Sequence, residues 1–241
     1  MPDSGLPPDI DPAPPSELVS AAAQCFGDQL GAAVAYAELL ITDGVVRGLI
    51  GPREAPRIWE RHLLNCAVVS ELIDPGTRVV DVGSGAGLPG IVLAVARPDL
   101  SVVLVEPLAR RAAFLAEVVT SLGLTNATVV RARAEDCARG GVDFEPAGVV
   151  TARAVAPLDR LATWCLPLAA TDGCLLAMKG ESAVDEIKAH RTAVMRAGGG
   201  EPTVRRCGVG LIDPPTIVVE IRRVGRAGAA RSSERRHPPR R

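Results

Sequence analysis

Residues 79–90 read VVDVGSGAGLPG, an apolar run that ends in an acid and continues into a glycine-rich turn. Three glycines, Gly83, Gly85 and Gly87, stand at alternate positions of this turn, and a Leu-Pro-Gly follows them. A buried strand that leads through such a turn into a helix opens the βαβ unit of a parallel sheet. The stretch therefore predicts an α/β fold and marks the edge of the sheet where a ligand binds.

The sequence downstream of this strand alternates between short β-rich runs and longer helical stretches. We predict strands near 78–82, 101–106, 127–132, 147–152 and 173–178, and helices near 88–97, 107–122, 157–169 and 181–197. Regular alternation of this kind predicts a mostly parallel, doubly wound sheet. Two last runs, near 203–208 and 216–223, are joined by GLIDPP, which is too short for a crossover helix, so we expect an antiparallel hairpin.

The sequence upstream of the glycine turn is helical. Apolar residues recur at helical spacing in segments near 16–26, 28–42 and 53–73, which glycines and a proline separate. The predicted organisation is a disordered Pro-rich N-terminus over 1–15, a helical region over 16–74, the sheet domain over 75–224 and a disordered Arg-rich tail over 225–241.

Composition limits the classes of protein to which the chain can belong. Its 241 residues and 47% hydrophobic content suffice for one sizeable domain with a buried core. No apolar run approaches the ~20 residues that span a bilayer, and the first residues lack the features of a secretory signal. The six cysteines form no C-x-x-C pair and no histidine stands at ligand spacing. We expect a cytoplasmic protein with reduced thiols, no membrane contact and no metal.

The glycine turn fits two kinds of cofactor. Gly85 to Gly90 match the G-x-G-x-x-G pattern of dinucleotide-binding proteins, and Glu106 lies where a ribose-binding acid is expected. A pyrophosphate needs free N–H groups at a positive helix end, but this turn opens with the Asp81 carboxylate and places Pro89, which has no N–H, at the start of the helix. A carboxylate suits the ammonium and sulfonium of S-adenosylmethionine (SAM), which has no phosphate. SAM is therefore the predicted cofactor; the alternative is a turn that only packs a helix on a strand.

The predicted strand arrangement agrees with this cofactor. A seven-stranded, mostly parallel sheet that ends in an antiparallel hairpin fits a methyltransferase better than a dinucleotide-binding protein. We therefore predict a Rossmann-like class I SAM-dependent methyltransferase fold preceded by the helical region.

Six motifs follow one another in the order known from one protein family: IWERHLLNCAVV (58–69), VVDVGSGAGLPGIVLA (79–94), EPLARRAAFL (106–115), RARAED (131–136), TARAVAPLDRL (151–161) and LLAMKGE (175–181). On these motifs the chain resembles the bacterial 16S ribosomal RNA guanine-N7 methyltransferases, the RsmG or GidB family, over about residues 20–223. Thr151 stands where that family is expected to have Ser. The resemblance implies a substrate, one guanine in the 530 loop of 16S ribosomal RNA in the small ribosomal subunit.

The resemblance and the argument from charge together define a cofactor site. The resemblance implies that Glu106 accepts the ribose hydroxyls and that Ala134 and Glu135 border the adenine. The predicted cofactor-binding residues are Asp81, Gly83, Gly85, Gly87, Leu88, Glu106, Ala134, Glu135 and Arg153.

The chain lacks the signatures of two other methylation chemistries. No Pro-Cys pair follows the fourth strand to supply a nucleophile for pyrimidine carbon-5. The only candidate for the turn that binds an exocyclic amine, Asp213-Pro214-Pro215-Thr216, lacks the aromatic residue and belongs to the last hairpin. Guanine N7 already carries a lone pair, so no general base is required and positioning alone can carry the reaction.

Positioning requires groups that contact RNA near the ends of the strands. The predicted substrate-binding residues are Arg61, His62, Asn65, Arg153 and Lys179. For His62 and Lys179 a purely structural role remains equally open. The predicted partner is the small-subunit ribosomal RNA, and the predicted oligomeric state is a monomer. Two other functions stay open, a small-molecule methyltransferase with the N-terminal helices as a lid and an RNA-binding module that keeps SAM affinity without turnover.

Charge is unevenly distributed along the chain. Residues 222–241 contain eight arginines and one glutamate, a net charge of +7, and the total of −1 leaves −8 on residues 1–221. The tail is therefore either a solvated end or a segment that follows RNA phosphates. Arg110 and Arg111, at the start of a helix, form either a solvated or an RNA-facing surface.

Overall fold

A computed structural model describes residues 10–140 and 144–225. It contains one seven-stranded sheet with the strand order β3-β2-β1-β4-β5-β7-β6. The strands are β1 Arg78–Val82, β2 Ser101–Val105, β3 Ala127–Val130, β4 Ala147–Arg153, β5 Ala169–Lys179, β6 Thr203–Cys207 and β7 Thr216–Arg222. The first five strands are parallel, and β7 runs antiparallel to both β5 and β6. The predicted fold and its terminal hairpin are confirmed.

Eight α-helices accompany the sheet in the described part of the chain: α1 Val19–Phe26, α2 Leu30–Leu39, α3 Leu64–Ala67, α4 Gly90–Ala96, α5 Ala109–Ser121, α6 Ala134–Ala138, α7 Leu158–Cys165 and α8 Ala183–Arg196. The sequence did not predict α6, because five residues are too few to show an apolar period. This short helix forms part of the crossover between β3 and β4.

The helices form a layer on each face of the sheet. Consecutive strand residues point to opposite faces, so Val79 packs with the N-terminal helices, α4 and α5, while Val80 packs with α6, α7 and α8. The parallel strands are covered on both faces, which explains their continuous apolar runs. All carboxyl ends of the parallel strands meet at one edge, where the glycine turn lies.

The helical region before the sheet is less regular than its apolar period suggests. The predicted helix over 53–73 consists of a 3₁₀ turn, a π-helical turn at Trp59–Leu63, the short α3 and a second 3₁₀ turn. Another π-helical turn, Leu40–Gly44, extends α2. A π-turn shifts the hydrogen-bond partner by one residue and leaves carbonyl groups for other donors. Two of these carbonyls are used in the site described below.

The structure describes part of the predicted disordered N-terminus and only Gly225 of the predicted tail. Residues 1–9 and 226–241 lie outside the described residues, and the expectations for the Arg-rich tail concern those residues. Residues 10–15 have no regular secondary structure, but the Trp59 indole N–H donates to the Pro12 carbonyl at 2.8 Å and Ile10 packs against the core. The folded part therefore begins before the predicted boundary at residue 16. All six cysteines are free thiols, as predicted. No helix in the described ranges has the length and apolar character to cross a membrane.

Candidate functional site

The glycine turn connects the end of β1 to α4. Gly83, Gly85 and Gly87 have φ angles of +69°, +57° and +100°, which side chains rarely allow. The Gly83 N–H donates to the Val105 carbonyl at 2.8 Å and fixes the turn against the end of β2. A Cβ atom on Gly85 would meet only the Gly83 carbonyl oxygen within 4 Å. Gly85 therefore faces open space, where a ligand can approach the backbone.

An N-terminal helix supports this turn from behind. Tyr36 on α2 is buried, and its hydroxyl donates to the Ala86 carbonyl at 2.7 Å. A Cβ atom on Gly87 would lie 2.7 Å from that hydroxyl, so the close approach requires glycine. Sequence reasoning missed Tyr36. The available signal was that it is the only tyrosine of the chain, on an apolar helix, and that a buried tyrosine needs a hydrogen-bond partner.

Asp81 differs from its prediction, because it does not face a ligand. Its side chain is completely buried, Oδ2 accepts the Gly90 N–H at 3.1 Å and Oδ1 accepts the Thr151 hydroxyl at 2.9 Å. Burial raises the pKa of Asp81 to about 6, although these hydrogen bonds act in the opposite direction. Asp81 therefore ties the first residue of α4 to β4. Thr151, at the position where serine is expected, supplies the hydroxyl of this bond.

Gly90 makes the Asp81 contact possible. A Cβ atom there would collide with Leu104 Cδ2 and would lie 2.8 Å from Asp81 Oδ2. The beginning of α4 consequently packs directly on the sheet. The third glycine of the G-x-G-x-x-G pattern thus serves helix packing here.

Glu106 follows β2 at the predicted place beside the turn. It is almost completely buried, Oε2 accepts the Gly85 N–H at 3.0 Å and Oε1 accepts the Leu108 N–H at 2.9 Å. A carboxylate oxygen has two acceptor sites, so each oxygen retains one. Two neighbouring hydroxyl groups, as on a ribose, can donate to these remaining sites.

The other predicted cofactor residues lie around this carboxylate. Leu88 is half-buried in the turn, and Ala134 and Glu135 begin α6 directly after β3. The Glu106 N–H donates to the Val130 carbonyl at 3.1 Å, so the ends of β2 and β3 are adjacent. The structure thus brings these predicted residues to one edge of the sheet.

Arg153 ends β4 and binds the N-terminal helical region. Its Nη2 donates to His62 Nδ1 at 2.8 Å and to the Arg61 carbonyl at 3.1 Å, and its Nη1 donates to Cys66 Sγ at 3.1 Å. The Arg61 carbonyl belongs to the π-helical turn. The side chain predicted to contact cofactor and RNA therefore connects two parts of the protein.

His62 is neutral in this arrangement. Because Nδ1 accepts from Arg153, the proton belongs on Nε2, which donates to Glu54 Oε2 at 3.2 Å. Burial, followed by the charge of Arg153, lowers the pKa of His62 to about 4. Both ring nitrogens are occupied, which favours the structural role. Arg61 is exposed, 3.7 Å from the Glu54 carboxylate, and can reach an external ligand.

Asn65 also differs from its predicted role as an RNA contact. Its Nδ2 donates to the Glu60 carbonyl of the π-helical turn at 2.5 Å, and its Oδ1 accepts the Thr216 hydroxyl at 2.9 Å. Thr216 begins β7 and is buried. The amide therefore fastens the helical region to the terminal hairpin.

Lys179 differs from its prediction most clearly. Its ammonium donates to Glu186 Oε1 at 2.7 Å and to the Ala156 carbonyl at 2.9 Å, and the two charged side chains are only 13% and 18% exposed. The same Glu186 oxygen accepts the Leu158 N–H at 2.7 Å. The lysine charge is thus neutralised inside the protein, where it holds the loop after β4.

That loop covers the glycine turn. Ala154 has a φ angle of +53°, and the Val155 side chain, 37% exposed, packs so closely that a Cβ atom on Gly83 would lie 2.9 Å from it. Arg153 holds one end of the loop and Lys179 the other. Sequence reasoning did not find Val155, which carried no polar signal.

Comparisons with known proteins agree with this geometry. Residues 29–210 match the family described as "rRNA small subunit methyltransferase G". The chain is 64% identical over 221 residues to "Ribosomal RNA small subunit methyltransferase G" of Salinispora arenicola, covering 90% of this chain and 91% of the relative. The protein of the same name from Corynebacterium efficiens is 52% identical over 227 residues, covering 92% and 96% of the two chains.

Solved structures support the fold. A SAM-dependent methyltransferase from Aquifex aeolicus superposes with a TM-score of 0.52 at 16% identity, covering 76% of this chain and 98% of the other. Fibrillarin from Aeropyrum pernix, solved with bound SAM, gives a TM-score of 0.51 at 17% identity and covers 67% of this chain and 75% of its own. At these identities the likeness extends to the fold alone.

Proposed function

Because this chain belongs to the family of ribosomal RNA small subunit methyltransferases G, we propose that it methylates N7 of a guanine in the 530 loop of 16S ribosomal RNA. The chain is a SAM-dependent ribosomal RNA methyltransferase. The observation that carries the assignment in this molecule is the Glu106 carboxylate beside the open glycine turn.

The residues at the turn fit SAM. Open space at Gly85 admits the cofactor, and Glu106 retains one acceptor site on each oxygen for the ribose hydroxyls. Ala134 and Glu135, beside the neighbouring strand, would border the adenine. When bound, SAM supplies an electrophilic methyl group.

The side chains near the turn support an acceptor that needs no deprotonation. His62 is the histidine of the site, yet both of its nitrogens are engaged and its pKa is lowered to about 4. Asp81 is enclosed beneath the turn. Neither side chain can take a proton from a substrate without leaving its partners. Guanine N7 suits this arrangement because its lone pair is free from the start.

The protein's own contribution is therefore orientation and exclusion of water. The loop over Gly83 places the exposed side chain of Val155 beside the turn, where an apolar surface can pack against a base. Arg153 and Lys179 hold this loop from both ends. Arg61 is a candidate for direct contact with RNA. We further propose that the enzyme acts as a monomer in the cytoplasm.

The test is transfer of labelled methyl from SAM to purified small ribosomal subunits that lack the modification. We expect label in ribosomal RNA, recovered as 7-methylguanosine after digestion to nucleosides and mapped to the 530 loop. Label in another nucleoside, or label only in a small molecule when a cell extract replaces the purified subunits, would contradict the proposal. SAM binding without any turnover would identify a binding module instead.

A further inference from the structure

A groove lies outside the cofactor turn, between the N-terminal region and the first turn of α5. Its volume is about 620 Å³. One wall is formed by Arg47 and Leu49, and the other by Leu108, Ala109, Arg110 and Arg111. We call it the arginine groove. It begins two residues beyond Glu106 along the chain, so it is a neighbour of the proposed ribose site.

The arginines of this groove fall into two groups. Arg47 is held by Glu117 at 2.5 Å and by Asp43 at 3.7 Å, and its guanidinium lies 5.5 Å from the centre of the Phe114 ring. Arg110 and Arg111 are exposed, and no carboxylate of the described residues lies within 4 Å of either guanidinium. Arg47 thus builds the wall, while Arg110 and Arg111 retain their charge for an external anion.

The loop after the neighbouring strand extends the positive surface. Arg131 and Arg133 follow β3, are exposed and likewise have no carboxylate partner within 4 Å in the described ranges. Since the ends of β2 and β3 are adjacent, four such arginines follow two neighbouring strands. This concentration stands out because residues 1–221 carry a net charge of −8.

We propose that the arginine groove binds a strand of the ribosomal RNA substrate, with phosphates at Arg110 and Arg111 and a base or sugar against Leu49 and Leu108. The groove combines arginines with apolar side chains, and this combination favours RNA as the ligand. RNA offers phosphates and apolar base faces at short intervals, and the arginine guanidinium matches the geometry of a phosphate. The inference rests on the proposed function, because it names the surface by which the same RNA is held.

The experiment uses the full chain with Arg110→Ala and Arg111→Ala combined. Alanine preserves the start of α5, since it has the highest helix propensity. Binding to unmodified small subunits is measured over a salt series for this variant and for the unchanged protein. We expect the slope of log affinity against log salt to fall by about 1.4 to 1.8, the value for two lost phosphate contacts. SAM affinity, measured by calorimetric titration, is expected to stay the same.

Two further variants make the result decisive. Arg196→Ala removes one exposed charge from the last turn of α8, at the opposite end of the sheet, and is expected to leave the slope unchanged. The double replacement by lysine keeps both charges and is expected to keep the slope. An unchanged slope in the alanine variant, or an equal loss in the lysine variant, would overturn the groove proposal. Neither result affects the proposed function, which is tested separately by methyl transfer from the unchanged protein to the 530 loop of the subunits.

Discussion

The carboxyl ends of the parallel strands form two neighbouring parts of one sheet edge, which we call the first edge (β1 and β2) and the second edge (β4 and β5). At the first edge, Glu106 accepts two backbone N–H groups and still retains acceptor sites toward an open turn. At the second edge, Arg153 and Lys179 donate their hydrogen bonds to other groups of the protein. Both edges carry charged residues at the last position of a strand or directly after it, and the sequence suggests ligand contacts at both. Of these three side chains, Glu106 is the one that retains hydrogen-bonding capacity for a ligand.

The difference has a simple physical origin. A carboxylate beside a tight turn can satisfy backbone donors and a ligand at the same time, because it has about four acceptor sites. A largely buried cation needs compensation, and Glu186 and the Ala156 carbonyl provide it for Lys179. The second edge therefore holds the loop over the turn, while the first is the proposed site of the cofactor. Substitutions at Lys179, Asp81 and Glu106 separate these two roles.

The largest expected effect is on Lys179. Replacement by Met leaves the Glu186 charge largely buried without its partner, and we expect about 3 kcal/mol less stability in urea unfolding. Lys188→Met is the matched control, because its pair with Asp185 is mostly exposed and should contribute under about 1 kcal/mol. If Lys179→Met is about as stable as the unchanged protein and its slope of log affinity for subunits against log salt is reduced, then Lys179 contacts RNA instead of holding the loop.

Asp81 gives the next effect, which depends on pH. Because its folded pKa is raised to about 6, folding favours the protonated form, and its contribution to stability is lost as pH rises from about 4 through 6. Asn can accept the Gly90 N–H and donate to Thr151, but it does not titrate. We expect the stability of Asp81→Asn relative to the unchanged protein to increase by roughly 3 kcal/mol between about pH 4 and 7.

Two other titrating side chains, Asp99 and His62, help to identify the direction of this effect. The pKa of Asp99 is lowered chiefly by its hydrogen bond with Arg97, so the relative stability of Asp99→Asn should fall as pH rises toward about 4 and stay nearly level between about pH 4 and 7. His62, with a pKa lowered to about 4, loses stabilising effect as pH falls from about 6.5 toward 4, and this contribution is common to all three proteins. A pH-independent difference between Asp81→Asn and the unchanged protein would mean that Asp81 is not the buried acid described here.

A smaller effect is expected at Glu106. Glu106→Ala removes the proposed acceptor for two ribose hydroxyls, and we expect SAM binding to weaken by about 1 to 3 kcal/mol in calorimetric titration. Glu106→Gln keeps one acceptor oxygen, so its affinity for SAM should lie between that of the alanine variant and that of the unchanged protein. Because Glu106 also accepts the Gly85 and Leu108 N–H groups, the alanine variant is expected to unfold somewhat more easily. Unchanged SAM affinity would remove Glu106 from the site.

The sequence predicted the elements of the first edge and the position of Glu106, though not the burial of Asp81, because the signals of those elements are local. A strand, an acid, a glycine turn and a helix follow one another within 79–97, and each has a recognisable pattern. The strand bounds and the antiparallel hairpin followed from apolar periodicity and from the length of GLIDPP. Glu106 was identified by its distance along the chain from the turn.

The second edge could not be predicted because its interactions join distant segments. Lys179 donates to the Ala156 carbonyl 23 residues away, and the Thr151 hydroxyl that donates to Asp81 lies 70 residues away along the chain. The irregular helix over 53–73 has the same cause. Arg153 donates to the Arg61 carbonyl of the π-helical turn from 92 residues away, and a bond of this range leaves no periodic trace in the sequence.

We propose that this molecule orients its substrate and requires no general base. The most direct test is the single-turnover rate of methyl transfer with saturating small subunits, measured between about pH 6.5 and 8.5, above the pKa values of both Asp81 and His62. We expect a rate constant that stays level over this range, because guanine N7 has no proton to lose. A rate that rises about tenfold per pH unit would show that a proton is removed before transfer and would contradict the account.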